Sequence, residues 1–421
     1  MTLWQRLKPI RMRLLLVLAV VGPGIITANV DNDAGGITTY SVAGAHYGYS
    51  LLWMLVLVAL ALIIIQEMSA RLGVVTGKGL ADLIRESMGV RATAVIIGIV
   101  LIANLANTVS EFAGVAASME ILVPSVSKYV WVPLTAAGVW LLIVKGSYKV
   151  VERIFLVASA LYFCYVASGI MANPPWPVVL EAARTPSFRF EAGYVTIFVT
   201  VIGTTIAPWM QFYQQSAIVD KGLKVAHYAY ERLDVIVGSL FAVFVAAFIT
   251  IACAATLFAN GVRIETAQDA ALALRPLAGT YAATLFAFGL LNASVFSAAI
   301  LPLSTAYVVC EAFGWEAGVG RNLKEAPIFF GVYTMLIVLG AAIILLPIKS
   351  LVQAMLASQT LNGVLLPVIL VVMLRLINDR RLMGRLVNGR VFNVIAWAMV
   401  VVLILLTAIL VVTSVLPGLL G

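Results

Sequence analysis

The most unusual polar residues of the sequence lie together in a long apolar run near its start. The stretch Asn29-Val30-Asp31-Asn32-Asp33-Ala34-Gly35-Gly36 holds two carboxylates, two carboxamides and two adjacent glycines. In a membrane span, charged side chains are costly and mark functional sites, and paired glycines make a continuous helix costly. Asp33, helped by Asp31, Asn32 and Asn29 and by freed backbone carbonyls, would suit a hard cation such as Mg²⁺, Ca²⁺ or Mn²⁺.

A second interruption falls in a later apolar run, at Ile206-Ala207-Pro208-Trp209. Pro208 lacks an N–H and its ring clashes with the preceding turn, so we expect the helix to kink or unwind there. Freed backbone groups inside a membrane are tolerated where they line a cavity or find other partners. The small side chains of Ala207 and Gly36 leave room for a cation that keeps part of its water, as Mg²⁺ usually does.

The composition indicates that these residues lie in a protein embedded in a lipid bilayer. The chain has 421 residues, of which 62% are hydrophobic and 11% charged, and its mean hydropathy is +1.06. A soluble domain is about one quarter charged, whereas apolar runs of about 20 residues match the length of a membrane-spanning helix. The net charge of +8 is spread through short loops, which argues against a nucleic-acid partner. Three isolated cysteines are interpreted as core residues; they are Cys164, Cys253 and Cys310.

Eleven membrane-spanning helices are predicted, so we expect an all-α integral membrane protein with one transmembrane domain over residues 1–421. Their approximate ranges are 14–48, 50–70, 93–122, 131–147, 153–172, 192–219, 234–259, 279–313, 328–347, 351–374 and 391–417. If the N-terminus is cytoplasmic, the inner segments carry 21 of the Lys and Arg residues and the outer segments carry 6. This bias predicts a cytoplasmic N-terminus and an extracytoplasmic C-terminus.

The two interrupted runs are the first and sixth predicted spans. Their separation predicts two five-helix repeats, at about 14–172 and about 192–374, followed by an extra helix at about 391–417. An odd number of spans inverts the second repeat relative to the first. Inverted repeats whose broken helices meet at mid-membrane are common in secondary transporters. We therefore expect a LeuT-like fold with unwound first and sixth helices.

Further polar residues lie inside the predicted spans. Glu111 on the third span could attract an ion, take part in a proton step, or pair with a neighbouring helix. Gln359 and Asn362 on the tenth span are three residues apart and share a helix face, so they could solvate a cavity or bond between helices. Glu67 and Arg71 lie at a cytoplasmic end and are interpreted as an anchor or a gate pair.

Several longer motifs resemble the Nramp (natural resistance-associated macrophage protein) divalent-metal transporters over nearly the whole chain. These motifs are Gly22-Pro23-Gly24, Ala43-Gly44-Ala45-His46-Tyr47-Gly48-Tyr49, Ala70-Arg71-Leu72-Gly73-Val74-Val75-Thr76-Gly77-Lys78, Arg381-Leu382-Met383-Gly384 and Val387-Asn388. The resemblance implies that Asp33 is the metal-binding aspartate, and that the carbonyls of Val30 and Thr204 are backbone ligands. The family's Asp-Pro-Gly-Asn signature reads Asp33-Ala34-Gly35-Gly36 here, and its Met-Pro-His signature reads Ala207-Pro208-Trp209.

These departures resemble the Nramp-related magnesium transporters of prokaryotes. A missing thioether removes the soft ligand that favours transition metals. Thr108 also stands in place of an aspartate linked to proton transfer, and Gln214 or Gln215 in place of a histidine. The resemblance implies import of partly hydrated Mg²⁺, with Mn²⁺ also accepted and no proton coupling, by a multi-pass protein of the prokaryotic plasma membrane.

Two alternatives remain at this point. The chain could be an ordinary proton-coupled Mn²⁺/Fe²⁺ importer with unusual ligands, or an organic-solute carrier of the same fold in which Na⁺ uses Asp33. Enzymatic and ATPase motifs are absent from the sequence, so we expect neither an enzyme nor a cofactor. The expected partners are a divalent cation and the lipid bilayer, and we expect a monomer. The predicted metal-site residues are Asp33, Val30, Gly36, Thr204 and Ala207, surrounded by Asp31, Asn32, Glu111, Trp209, Gln211 and Gln359.

Overall fold

The computed structural model describes residues 30–145 and 162–415, and within these ranges all regular structure is helical. This confirms the predicted all-α fold. The helices are α1 (Ala34–Tyr47), α2 (Leu52–Thr76), α3 (Leu80–Leu122), α4 (Lys128–Lys145), α5 (Phe163–Met171), α6 (Trp176–Arg184), α7 (Ala192–Thr205), α8 (Pro208–Asp220), α9 (Tyr228–Thr256), α10 (Ala267–Ala271), α11 (Arg275–Ala278), α12 (Ala282–Phe313), α13 (Pro327–Leu345), α14 (Leu351–Asn378), α15 (Arg380–Met383) and α16 (Arg390–Val415).

Nine stretches of the described chain are long and apolar enough to cross a membrane. They correspond to predicted spans two to four and six to eleven. The predicted first span up to residue 29 and the predicted fifth span up to residue 161 lie outside the described residues, and α1 and α5 form their remaining parts. Large apolar side chains on the outer faces of these helices are exposed, as expected for surfaces that contact lipid.

The third span was predicted to start at about residue 93, and the structure interrupts the helix a few residues earlier, at Gly89. Helix α3 begins at Leu80 and continues through Gly89, where the backbone takes a φ of 77° and interrupts the helical geometry. Glycine adopts this left-handed φ without the steric penalty of a side chain. The segment Leu80–Ser87 lies outside the predicted spans and carries charged residues, and its helix packs against the end of α12 through Arg85 and the Ala312 carbonyl.

Small residues bring the central helices into close contact. Gly114 of α3 faces α12 and α1 so closely that a Cβ there would lie 2.2 Å from Ser294 Oγ and 2.5 Å from Ala34 Cβ. A Cβ on Gly203 of α7 would lie 2.2 Å from the Gln359 carbonyl oxygen of α14. Such contacts are typical of helix packing in membranes, where close backbone approach supplies the attraction. They place α1 and α7 beside each other at the centre of the bundle, flanked by α3 and α14.

Candidate cation site

The first helix break lies at Asn32 and Asp33. Helical geometry ends at Asp31 and resumes at Ala34, and the Asp33 carboxylate accepts a hydrogen bond from the Gly36 N–H at 2.6 Å. This is an N-cap bond, which satisfies one of the free N–H groups of the first turn. Gly36 and its neighbour Gly35 lie inside α1. The interruption predicted for this stretch therefore lies just before the two glycines, and the cap bond stabilises the first turn that contains them.

The second break lies at Ile206 and Ala207, between α7 and α8. Pro208 occupies the first position of α8, where its missing N–H costs no intrahelical bond. It also cannot donate to the carbonyl of Thr204, four residues earlier, as a continuous helix would require. The predicted interruption is thus confirmed and lies immediately before Pro208. One consequence is that the Thr204 carbonyl lacks its helical partner.

The two breaks meet at Gly36. A Cβ on this glycine would lie 2.6 Å from the Asp31 carbonyl oxygen, 3.3 Å from Asp33 Oδ1 and 3.3 Å from Thr204 Oγ1. Oxygen atoms from both interrupted helices therefore surround one point. Within the described chain, Thr204 Oγ1 and both carboxylate oxygens of Asp31 are buried without a hydrogen-bond partner. Buried polar atoms are rarely left unpaired, so this group of oxygens is suited to a ligand that is itself a cation or carries water.

Two polar side chains from neighbouring helices face Asp33. The Glu111 carboxyl group lies beside that of Asp33, and its Oε2 accepts from the Ala34 N–H at 3.3 Å. The Gln359 amide lies over Gly35, where a Cβ would be 1.9 Å from its Nε2, and faces the Asp33 carboxylate. Asp33 is only 4% exposed. Neighbouring carboxylates in a medium of low dielectric repel strongly, and a divalent cation between them would relieve this repulsion.

Soft ligands are missing from this group of residues. The Ala207 side chain is a methyl group, and its carbonyl accepts from the Met210 N–H at 3.1 Å. The Gln211 amide, with its nitrogen as donor, reaches the carbonyls of Ala207 at 2.9 Å and Pro208 at 2.8 Å. Trp209 is fully buried, with its ring centroid 6.1 Å from that of Tyr213. Across the described ranges, no three His, Cys, Asp or Glu side chains form a metal-binding cluster.

Two predicted residues have different surroundings from those expected. The Asn32 side chain points to the Ala242 carbonyl of α9 at 3.5 Å, and its own carbonyl accepts from the Tyr162 hydroxyl at 2.9 Å. Asn32 therefore fixes the break to neighbouring elements, and its place around the cation stays a prediction. Val30 is buried in the last helical turn before the break. The carbonyl oxygen that approaches Gly36 belongs to Asp31, so the ligand role of Val30 stays a prediction.

Sequence reasoning missed Tyr162 and the partners of Asn362. The amide of Asn362 on α14 bonds to that of Asn107 on α3 and to Gln359 on its own helix. The three-residue spacing on α14 indicated a shared face, but no sequence signal linked it to Asn107. Tyr162 is one of two tyrosines inside the predicted fifth span, and nothing in its sequence context distinguishes it from a core residue.

A cavity of about 830 Å³ opens on one side of the bundle, and we call it the vestibule. Its lining includes Val42, Lys128, Lys349 and Leu356, which places it on the side predicted to be extracytoplasmic. Val42 is nine residues beyond Asp33, or roughly 13 Å along a helix. Between the two levels, the Thr38 hydroxyl contacts Met355 Sδ at 3.5 Å. The Thr38–Met355 contact therefore lies between the vestibule and Asp33.

On the opposite side, a polar cluster that we call the latch joins α2 to the segment before α16. Arg71 pairs with Glu67 at 3.0 Å and donates to the Leu386 carbonyl at 3.0 Å and to Asn388 Oδ1 at 2.5 Å. Glu67 also accepts from the Tyr228 hydroxyl at the start of α9. Both charged side chains are largely buried, so each depends on the other and on these hydrogen bonds. The latch confirms the contact predicted between Glu67 and Arg71.

The architecture is that of known transporters. The fold matches the crystal structure of a manganese transporter from Eremococcus coleocola with a TM-score of 0.78, at 22% identity, covering 93% of this chain and 86% of that one. It also matches Mhp1, a nucleobase-cation-symport-1 family transporter, with a TM-score of 0.61 at 14% identity, covering 93% and 91% of the two chains. The chain is thus a multi-pass helical membrane protein with the predicted LeuT-like fold.

The sequence comparisons identify the family. Residues 24–413 match the family described as "Natural resistance-associated macrophage protein-like", and the chain belongs to this Nramp family. It is 29% identical over 406 residues to the "Divalent metal cation transporter MntH" of Ralstonia nicotianae, covering 92% of this chain and 89% of the relative. It is also 29% identical over 406 residues to "Divalent metal cation transporter MntH 1" of Pseudomonas aeruginosa, covering 90% and 88%. These relatives are named as transporters, which agrees with the expectation that the chain is neither an enzyme nor dependent on a cofactor.

Proposed function

We propose that this chain is a secondary transporter that imports divalent cations across the prokaryotic plasma membrane by alternating access, with Mg²⁺ preferred and Mn²⁺ accepted. The observation that carries the proposal is the meeting of both helix breaks at Gly36, with Asp33 present and a methyl group at Ala207. The family relationship supports transport of a divalent metal. The predicted cytoplasmic N-terminus places the vestibule outside, as an importer requires.

The ligands in this proposal are oxygen atoms. They are the Asp33 carboxylate and the backbone carbonyls of Val30 and Thr204, while Gly36 and the methyl group of Ala207 supply space. Five or fewer protein oxygens leave a cation with waters in its coordination shell, and Mg²⁺ gives up its waters reluctantly. Oxygen ligands without a thioether or imidazole favour Mg²⁺ and Mn²⁺ over softer transition metals.

The residues around the site support transport without proton coupling. The Thr108 hydroxyl donates to the Asn104 carbonyl of its own helix at 2.8 Å, so it is fully engaged in α3. On α8, the position of the histidine in the family's Met-Pro-His signature is filled by the indole ring of Trp209. Asp33 and Glu111 remain as ionisable groups beside the proposed cation, and Asp31 is a third buried carboxyl group close to Asp33. A cation bound between the Asp33 and Glu111 carboxyl groups would balance their negative charge, so that no bound proton is required there.

The second candidate is an ordinary proton-coupled Mn²⁺ importer. The observation that favours it is the closeness of Glu111 to Asp33, because a proton could be displaced from this pair when a cation binds. The names of the bacterial relatives also agree with it. The two candidates differ in whether protons accompany the metal.

Flux measurements on purified protein in liposomes test both candidates. Mg²⁺ and Mn²⁺ uptake would be followed with internal dyes, together with a pH-sensitive dye, and Asp33→Asn would serve as a matched variant without the charge. We expect Mg²⁺ and Mn²⁺ to enter without acidification and Asp33→Asn to stop both. Uptake of Mn²⁺ but not Mg²⁺, with metal-driven acidification, would establish the second candidate instead.

A further inference from the structure

Three buried amide side chains form a hydrogen-bonded chain that ends at Asp33. Asn107 Nδ2 donates to Asn362 Oδ1 at 3.2 Å, and Asn362 Nδ2 donates back to Asn107 Oδ1 at 2.9 Å. Asn362 Nδ2 also donates to Gln359 Oε1 at 2.9 Å. We call these three residues the amide chain. It bridges α3 and α14, and all three side chains are almost fully buried.

The end of the amide chain is oriented by this bonding. Because the Oε1 of Gln359 is held by Asn362, its Nε2 is the atom that faces the Asp33 carboxylate over Gly35. Within the described residues, this Nε2 is buried and makes no hydrogen bond of normal geometry. An N–H donor suits a carboxylate, but it repels a cation held by that carboxylate. The observed orientation is thus favourable when no cation is bound at Asp33, and unfavourable when a cation is bound there.

The amide chain has a second arrangement of equal hydrogen bonding. If all three amides rotate by half a turn, every donor becomes an acceptor and every acceptor a donor. Each of the three hydrogen bonds is then kept with its direction reversed, because an amide carries one N and one O of similar geometry. The only change at the end is that Gln359 now presents Oε1 to the site. In this arrangement Gln359 Oε1 repels the Asp33 carboxylate when no cation is bound, but attracts a cation bound beside Asp33.

We propose that the amide chain is a two-state relay, in which binding of a cation at Asp33 reverses Gln359, Asn362 and Asn107 together. Gln359 then lends an oxygen to the cation, either directly or through one of its waters. A cation shifts such an equilibrium by its difference in affinity for the two arrangements. Asn362 and Asn107 are positioning residues, since they act on the cation only through Gln359. The inference rests on the cation site of the proposed function.

The relay predicts distinct effects for two variants that add the same charge. In Asn362→Asp, both atoms at position 362 accept, so Gln359 must donate Nε2 to it and present Oε1 to the cation. In Asn107→Asp, the new carboxylate adds equal charge, but Asn362 can still take either orientation beside it. We expect Asn362→Asp to raise Mg²⁺ affinity about tenfold more than Asn107→Asp does, which is the scale of one hydrogen bond to a charged group. Gln359→Leu should lower Mg²⁺ affinity about tenfold.

The experiment is Mg²⁺ binding by titration calorimetry to the full chain in detergent at pH 8.5, with thermal unfolding as a check that each variant folds. The difference between Asn362→Asp and Asn107→Asp should vanish when Gln359→Leu is added to both. Equal effects of the two aspartates, or unchanged or tighter binding in Gln359→Leu, would overturn the relay. Absence of Mg²⁺ and Mn²⁺ binding in the wild-type protein would instead overturn the proposed function. If Asp33→Asn abolishes Mg²⁺ binding but Gln359→Leu leaves it unchanged, the proposed function stands and only the relay is refuted.

Discussion

Replacement of Gly36 by alanine tests the proposed meeting of the two helix breaks. The added Cβ would lie 2.6 Å from the Asp31 carbonyl oxygen, and ordinary contact begins at 3.4 Å, so the two must separate by about 0.8 Å. Because the obstructing atom belongs to the backbone, no rotamer change can relieve the contact. The new methyl group would also press on Asp33 Oδ1 and Thr204 Oγ1, each at 3.3 Å.

The size of the effect follows from two opposing terms. Alanine stabilises a helix interior by about 0.5–1 kcal/mol relative to glycine, whereas forcing an extra methyl group into a packed site costs about 1–3 kcal/mol. The steric term is the larger. Mg²⁺ requires near-octahedral geometry with ligands at about 2.0–2.1 Å, so a shift of 0.8 Å would disturb its coordination severely. We expect Gly36→Ala to lower Mg²⁺ uptake at subsaturating concentration roughly tenfold to hundredfold.

The assay is initial-rate Mg²⁺ uptake into proteoliposomes over a range of concentrations, with thermal unfolding in detergent measured in parallel. Gly98→Ala is the matched control, because Gly98 lies within α3 and a Cβ there meets nothing within 4 Å. We expect that control to transport normally and to be as stable as the wild-type protein or slightly more so. If Gly36→Ala transports with unchanged KM and rate, the two breaks do not form the cation site.

Three further predictions concern single side chains. Ala207→Met should raise the affinity for Mn²⁺ and Cd²⁺ relative to Mg²⁺, as measured by competition in the uptake assay, because it adds a thioether; unchanged selectivity would show that position 207 does not face the ion. Thr204→Val removes the buried Oγ1 but keeps the volume, and we expect Mg²⁺ affinity to fall about tenfold, with Thr205→Val, which loses the bonds to the Tyr40 hydroxyl and the Val201 carbonyl, as the control; equal effects of the two would contradict a special role for Thr204. Asn388→Ala removes one acceptor of Arg71, so maleimide labelling of a cysteine introduced beside the latch should become faster, while identical labelling rates would show that the latch does not restrict opening.

Much of the fold could be predicted from the composition of the chain and from its helix-breaking residues. Apolar runs of membrane-spanning length located most spans, because burial in lipid requires continuous apolar helices. Pro208 located the second break to within a residue, since a missing N–H has a purely local effect. The helical segment Leu80–Ser87 was not predicted, because the spans were located from apolar runs and this segment carries charged residues. Its connection through Gly89 depends on tertiary contacts that are not visible locally.

The site was harder to predict than the fold. The pair Gly35 and Gly36 indicated either a break or close packing, and the sequence could not decide between them. The answer depends on Gln359 and Thr204, which are distant in the chain and touch these glycines only after folding. Asp33 was recognisable because a buried carboxylate is costly. The role of Asn107 could not be predicted from the sequence, because its hydrogen-bond partner lies on another helix.

The latch has a consequence for the last helix, which belongs to neither repeat. Arg71 holds the main chain at Leu386 and the side chain of Asn388, only a few residues before α16 begins at Arg390. We therefore expect a displacement of α16, by a fused tag or an altered bilayer thickness, to act on α2 and on Tyr228 of α9 through these hydrogen bonds. C-terminal tags should for this reason be designed with the same care as substitutions near the proposed cation site.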